Sequence, residues 1–256
     1  MNLLIDIGNT NIVIGIYDKS IKHVWRMETQ KDMSAMDYGI RINDLLWEAG
    51  IRPQNFDFKV LSTVVPELKD VFIDLLTKLD SNPLVVLDSQ SFYKLDIQIP
   101  TNEIGTDLVS NVLAATHMYD ENLIIIDFGT ALTFTVVNKQ KQILGVNIAP
   151  GLKTAINVLH DKTAQLETVS LKIPASPLGY DTTSAIQNGV LLGYVGLVSY
   201  MIEVIKNEVG EPYKVLATGG LSGVLRDRLP QIDYVNKDLT LLGLLEAGRQ
   251  VLNFNQ

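Results

Sequence analysis

Cysteine is absent from the 256 residues, which excludes disulfides, thiolate metal sites and a cysteine nucleophile. Histidine is scarce. The three, His23, His117 and His160, share no ligand spacing and form no metal motif. Positive charge is in deficit as well: 21 Lys and Arg against 29 Asp and Glu leave a net charge of −8. A broad basic face for nucleic acid is therefore not expected. No run of about 18 apolar residues occurs, so no membrane span is expected either. The opening Met-Asn-Leu-Leu-Ile-Asp lacks the basic start and long apolar stretch of an export signal, and a cytoplasmic protein is the expectation. What is present is ordinary for a soluble chain: 46% hydrophobic residues and 20% charged. The length suits one large domain or two of about 100–150 residues.

The apolar pattern organises itself twice. Leu3 to Ile7, Ile12 to Ile16 and Ile21 to Met27 read as strands, separated by Gly8-Asn9-Thr10-Asn11 and by Asp18-Lys19-Ser20, both with turn chemistry. Residues 34–49 have helical spacing and end at Gly50, Lys59 to Val64 is a strand, Pro66 opens a helix to Leu79, and Leu84 to Leu87 is a strand. From residue 122 a similar order begins again. Strands are expected at Leu123 to Asp127, at 131–138, at 142–149 and at Lys214 to Ala217. Helices are expected from Pro150-Gly151 to His160, from Thr182 to Glu208, from Gly219-Gly220 to Leu229, and over 239–252. The β-β-β-α-β-α-β order thus occurs twice, with a helix over 105–119 joining the halves. Asp6-Ile7-Gly8 and Asp127-Phe128-Gly129 lie 121 residues apart, each at the end of an apolar strand. That period is too long for a solenoid and fits a duplicated domain. The expected fold is α/β, a duplicated ribonuclease H-like (actin-like ATPase) fold with domains 1–116 and 117–256 and a central cleft.

A strand–Asp-x-Gly–strand hairpin answers a specific chemical need. Glycine lets the turn backbone come close to a phosphate, and neighbouring N–H groups and hydroxyls donate to its oxygens. An aspartate at the strand end can hold a hydrated cation that neutralises those oxygens. One such triplet is usually only a turn, but two at equivalent positions of a duplication point to a polyphosphate gripped from both sides. Ala217-Thr218-Gly219-Gly220-Leu221 adds an apolar strand entering a Gly-Gly turn before a helix. Alone this is a tight turn; with the two hairpins it reads as an adenosine pocket. Trp25 and Trp47 are expected in the core or at an interface, and the apolar positions of 186–205 against a domain or dimer interface.

These three elements resemble the two phosphate motifs and the adenosine motif of the actin, Hsp70 and sugar-kinase superfamily. Within it, the chain is most similar to the type III pantothenate kinases, some of which are called Bvg accessory factors. The resemblance runs nearly end to end. It is carried by Asp6-Ile7-Gly8-Asn9-Thr10-Asn11, Ser62-Thr63-Val64-Val65-Pro66, Glu103-Ile104-Gly105-Thr106-Asp107, Asp127-Phe128-Gly129-Thr130-Ala131, Ile148-Ala149-Pro150-Gly151, Thr163-Ala164-Gln165-Leu166, Gly179-Tyr180-Asp181-Thr182 and Leu239-Thr240-Leu241-Leu242-Gly243-Leu244.

The resemblance implies ATP contacts from Asp6, Ile7, Gly8, Asn9, Thr10, Asn11, Ile12, Val13 and Thr130. Asp107 matches the general base that takes the proton of a primary hydroxyl. Gly105, Thr106, Asp107, Leu108 and Thr182 fall at pantothenate-binding positions. Asp127 matches a site for a monovalent cation, potassium or ammonium, and Asp6 is a candidate for the magnesium that accompanies ATP. The implied activity is phosphorylation of pantothenate to 4'-phosphopantothenate, the first step of coenzyme A biosynthesis, by a homodimer. On residues alone Asp107 is equally a first-turn helix acid, and Thr182 a helix N-terminal residue. Three positions depart from the family: Leu108 stands where it usually has arginine, Gln98 where it has tyrosine, and Thr135 where it has an acid. Leucine has no planar donor for a carboxylate, which leaves open a kinase of the same fold for another hydroxylated acceptor. A nucleotide-binding regulator without turnover is the alternative of another class.

Overall fold

The computed structural model describes residues 1–100, 103–162, 171–173, 176–210 and 212–253, with backbone only at 160–162. The motif Thr163-Ala164-Gln165-Leu166 and the side chain of His160 lie outside the described residues. Contacts divide the chain into two units, Met1–His117 with Asp238–Gln256, and Met118–Lys237.

In the first unit the expected strands form one sheet: β1 (Asn2–Ile7), β2 (Asn11–Asp18), β3 (Ser20–Glu28), β4 (Phe58–Thr63) and β5 (Leu84–Leu87), in the order β3-β2-β1-β4-β5. β1 runs antiparallel to β2 and parallel to β4. Alternation along a strand sends neighbouring side chains to opposite faces. Leu3, Ile5 and Ile7 join Ile12, Ile14 and Ile16 on the face covered by α1 (Ala35–Glu48) and α2 (Pro66–Leu79). Leu4 joins Val60, Val85 and Leu87 on the face covered by α3 (Thr106–Met118) and α7 (Leu239–Val251). Local chemistry sets the helix starts: Ser34 caps α1 by accepting from the Asp37 N–H at 3.1 Å, and Pro66 occupies the first turn of α2.

The second unit repeats this plan with β6 (Leu123–Phe128), β7 (Ala131–Val137), β8 (Ile143–Pro150), β9 (Lys214–Thr218) and β10 (Tyr234–Val235), ordered β10-β9-β6-β7-β8. Strand directions match those of the first sheet pair for pair. The likeness extends to detail. Both sheets carry a register shift near the end of their second strand, at Ile16/Tyr17 and at Val136/Val137. Both following turns place a lysine at φ 59°, Lys19 and Lys141. This is the duplicated ribonuclease H-like fold.

Helices α4 (Leu152–Lys162), α5 (Thr182–Val209) and the single turn α6 (Ser222–Leu225) complete the second unit. α5 opens on a capping box between Asp181 and Ser184 and stops at Gly210 in the left-handed region. It is long and apolar enough to cross a membrane by length and composition, which the lack of an unbroken apolar run did not suggest. One stripe of it, Leu191, Tyr194, Val198, Ile202 and Ile205, packs in the core of this unit. The structure departs from expectation in two more places. β10 has only two residues and follows no apolar run. The helix read over 221–229 is one α-turn followed by a 3-10 turn at Arg226–Arg228. Trp25 packs against the core of the first unit, and Trp47 is 85% exposed on this chain. The contact division falls at 117/118 and groups the final helix α7 with the first unit.

Candidate functional site

In the first unit Asp6 is the next-to-last residue of β1, on the face that α3 and α7 cover. The hairpin beyond it is closed by the Gly8 N–H donating to the Asn11 carbonyl at 3.0 Å. Thr29 braces it from the end of β3, its hydroxyl donating to the Gly8 carbonyl at 2.7 Å and its N–H to the Thr10 carbonyl at 3.0 Å. Asn9, Thr10 and Asn11 are exposed at the tip, and Val13 is half-buried. Ile7 and Ile12 are buried in the core, so what they can offer a nucleotide is backbone.

Ser62 lies beside Asp6 in the parallel register of β4 and β1. Its Oγ donates to Asp6 Oδ1 at 2.9 Å and stands 2.9 Å from the hydroxyl of Thr106, the first residue of α3. Asp107 follows in the first turn of that helix. Burial pushes the Asp107 carboxyl above its ordinary pKa, opposed by hydrogen bonds from the Leu108 N–H and its own. A Cβ on Gly105 would collide with Asp107 Oδ1, so glycine leaves room for that carboxylate. Leu108 is only 7% exposed and turns its side chain inward. The first unit thus gathers Asp6, Ser62, Thr106 and Asp107.

The second unit gathers a different set around Asp127. The hairpin after it is closed by the Gly129 N–H donating to the Ala131 carbonyl at 3.1 Å. Thr130 is exposed; its carbonyl accepts from the Gly151 N–H at 2.9 Å and from the Thr154 hydroxyl at 2.7 Å. Tyr194 on α5 steadies the same loop, its hydroxyl donating to the Pro150 carbonyl at 2.6 Å. Gly219 has φ 87°, and a Cβ there would strike Asp127 Oδ1 and the Phe128 backbone. Only glycine suits both the left-handed backbone and that close approach. Gly220, next to it, faces open space. Thr133 and Thr218 flank Asp127 across the sheet, and their buried hydroxyls have no hydrogen-bond partner among the described residues. Thr182 is exposed at the first position of α5.

Ser62 and Thr218 stand inside motifs without a role of their own and Thr133 in none, though a signal for them exists. Once Asp6 and Asp127 are assigned to strands, residues level with them on neighbouring strands share their face. Sequence alone does not fix that register.

Two ribonuclease H-like units, each with an Asp-x-Gly hairpin, define the class of actin-like ATPases and sugar kinases. Solved structures agree on the fold. A Campylobacter jejuni protein classed with the Baf family transcriptional activators superposes with a TM-score of 0.61 at 18% identity, covering 98% of this chain and 99% of its own. The inorganic polyphosphate/ATP-glucomannokinase of Arthrobacter sp. strain KM gives 0.53 at 16% identity, covering 99% and 100%. Within that class, the sequence profile of the type III pantothenate kinases matches residues 2–204. The type III pantothenate kinase of Geobacillus sp. (strain WCH70) is 35% identical over 246 residues, 95% of each chain. The chain belongs to the type III pantothenate kinase family.

Proposed function

We propose that this protein transfers the γ-phosphoryl group of ATP to the primary hydroxyl of pantothenate, giving 4'-phosphopantothenate and ADP. The observation that carries this reading is 35% identity to a type III pantothenate kinase across 95% of both chains. The hydroxyl oxygen forms the new P–O bond, the bond from the γ-phosphorus to the β-phosphate oxygen breaks, and Asp107 takes the hydroxyl proton. A carboxyl raised above its ordinary pKa is a better proton acceptor than a solvated one, closer to the working pH. Phosphoryl transfer otherwise asks for positioning and charge neutralisation more than covalent help.

The hairpin residues 6–13 and Thr130 hold the phosphates in this reading, and Gly219 and Gly220 leave space for the adenosine. Gly105, Thr106, Leu108 and Thr182 serve the acceptor. Buried Leu108 offers pantothenate no charge, so its carboxylate must be met by other groups. Asp6 would hold the magnesium that comes with ATP and neutralises its phosphates. Among the described residues no three His, Asp or Glu side chains converge, and magnesium on one or two carboxylates plus phosphates needs no such cluster. A monovalent cation, potassium or ammonium, belongs at Asp127. The buried, unpartnered hydroxyls of Thr133 and Thr218 beside that carboxylate are oxygen donors of the kind such an ion takes. A cytoplasmic homodimer completes the proposal, with no part for nucleic acid or membrane.

The test is ADP release by purified protein with ATP, magnesium and potassium, with and without pantothenate. Turnover that depends on pantothenate and drops about 10²- to 10⁴-fold in Asp107→Asn is the expected result. Pantothenate-independent ADP release, or an Asp107→Asn variant with full activity, overturns the substrate or the base respectively.

A further inference from the structure

We infer that Ser62 is a positioning residue for phosphoryl transfer, tying the Asp6 carboxylate to the start of the helix that carries Asp107. The inference rests on the roles proposed above for those two aspartates. Ser62 is fully buried, and its single hydroxyl makes both contacts, 2.9 Å to Asp6 Oδ1 and 2.9 Å to Thr106 Oγ1. The direction of the chain follows from counting protons. A carboxylate only accepts, so the Ser62 proton is committed to Asp6. In the second contact the Thr106 hydroxyl must then be the donor and Ser62 the acceptor. Both protons therefore point toward the Asp6 charge, and the bond ending on the carboxylate is of the stronger, charge-assisted kind. Thr106 is 8% exposed, so water does not readily replace either link. Its carbonyl also accepts the Ser110 hydroxyl at 2.8 Å, which fixes the first turn of α3.

The second unit shows that strand pairing does not require this link. There Thr218 stands beside Asp127 in the same parallel register, yet among the described residues its hydroxyl has no hydrogen-bond partner. β6 and β9 pair all the same. The role of the Ser62 bonds is therefore sought in what they join: a residue serving the nucleotide and the turn presenting the base. Freeing either end lets the two reacting partners drift, and a displacement of about 1 Å can cost about 10²-fold in rate.

The experiment uses the full chain with Ser62→Ala, Ser62→Thr, Thr106→Val and the Ser62→Ala/Thr106→Val double variant. Each is measured for kcat, for KM of both substrates, and for binding of a non-hydrolysable ATP analogue with and without magnesium. Ser62→Ala is expected to lower kcat by about 10- to 100-fold with little change in KM for pantothenate, and Thr106→Val to lower kcat by a similar factor. Ser62→Thr keeps the hydroxyl on a β-branched side chain suited to a strand and should stay near wild type. The double variant should be no worse than the poorer single one, because both cut the same chain. Ser62→Ala should also shrink the gain in analogue affinity that magnesium gives. Unchanged kcat in Ser62→Ala, equal losses in Ser62→Ala and Ser62→Thr, or multiplying losses in the double variant would overturn the inference. Should Ser62→Ala not fold, Thr106→Val against Thr106→Ser, which keeps the hydroxyl, decides by the same kcat criterion. Should the wild type not use pantothenate at all, the acceptor assignment fails by itself; an undiminished magnesium gain in Ser62→Ala then refutes the inference separately.

Discussion

A buried acid at the start of a helix feels two opposed influences. The first-turn amides of α3 favour the charged carboxylate of Asp107, and its burial disfavours it; burial wins, and the pKa rises. The unfolded chain keeps the ordinary value, so the folded state holds this proton more tightly. Stability consequently declines as pH rises through the ordinary carboxylate range, and the loss is complete above the folded pKa. Asp107→Asn removes that penalty. Its melting temperature should exceed that of the wild type at neutral pH, with the gap closing on acidification below the ordinary carboxylate range. Thermal denaturation across pH checks this, and a gap that widens in acid would refute it. Asp107 could be picked from the sequence because Gly105-Thr106-Asp107 carried a resemblance. Its burial could not, because burial is set by tertiary packing that no local pattern reports. Ser62 shows the same limit: Ser62 and Asp6 are 56 residues apart, and only the β1–β4 register sets them side by side.

Strands and helices of the first unit were legible because each carried its own periodicity. Short or charged segments were not. Tyr234–Val235 becomes β10 only because β9 offers it an edge, and Arg226–Arg228 tightens to a 3-10 turn as an exposed, charged stretch. An interaction between elements was invisible too. Lys59 on β4 is 0% exposed, and its Nζ meets Asp80 at the end of α2, with 2.5 Å to Oδ1 and 3.2 Å to the carbonyl. The Asn82 N–H also donates to Asp80 Oδ1 at 2.7 Å. A buried pair of this kind is expensive to break on one side and cheap to replace whole. Asp80→Ala is predicted to cost about 3–5 kcal/mol by leaving a buried ammonium without its counter-charge. The double change Lys59→Met with Asp80→Leu should fall within about 1–2 kcal/mol of wild type. Urea unfolding of the three proteins settles it, and a double variant as unstable as Asp80→Ala would sink the argument.

At the scale of the molecule, the duplication was readable from Asp6 and Asp127 and reaches further than the motifs, down to paired register shifts and paired left-handed lysines. The partition was less readable. An apolar stripe shows that a helix is buried on one side, not which sheet it covers, and α7 follows the second unit in sequence while packing on β1, β4 and β5 of the first. That has a consequence for the nascent chain. Residues 118–237 are contiguous and can close on themselves as they leave the ribosome. The unit made first cannot finish, because Leu4, Val60, Val85 and Leu87 have only α3 to cover that face until Leu239–Val251 arrives. Translation order and folding order are thereby inverted, and the earlier half waits, exposed to chaperones and aggregation, for the last helix to be made. Proteolysis of ribosome-bound chains stalled before residue 238 should cut the first unit readily and spare the second. Equal protection of both would mean that β1, β4 and β5 find another cover while they wait.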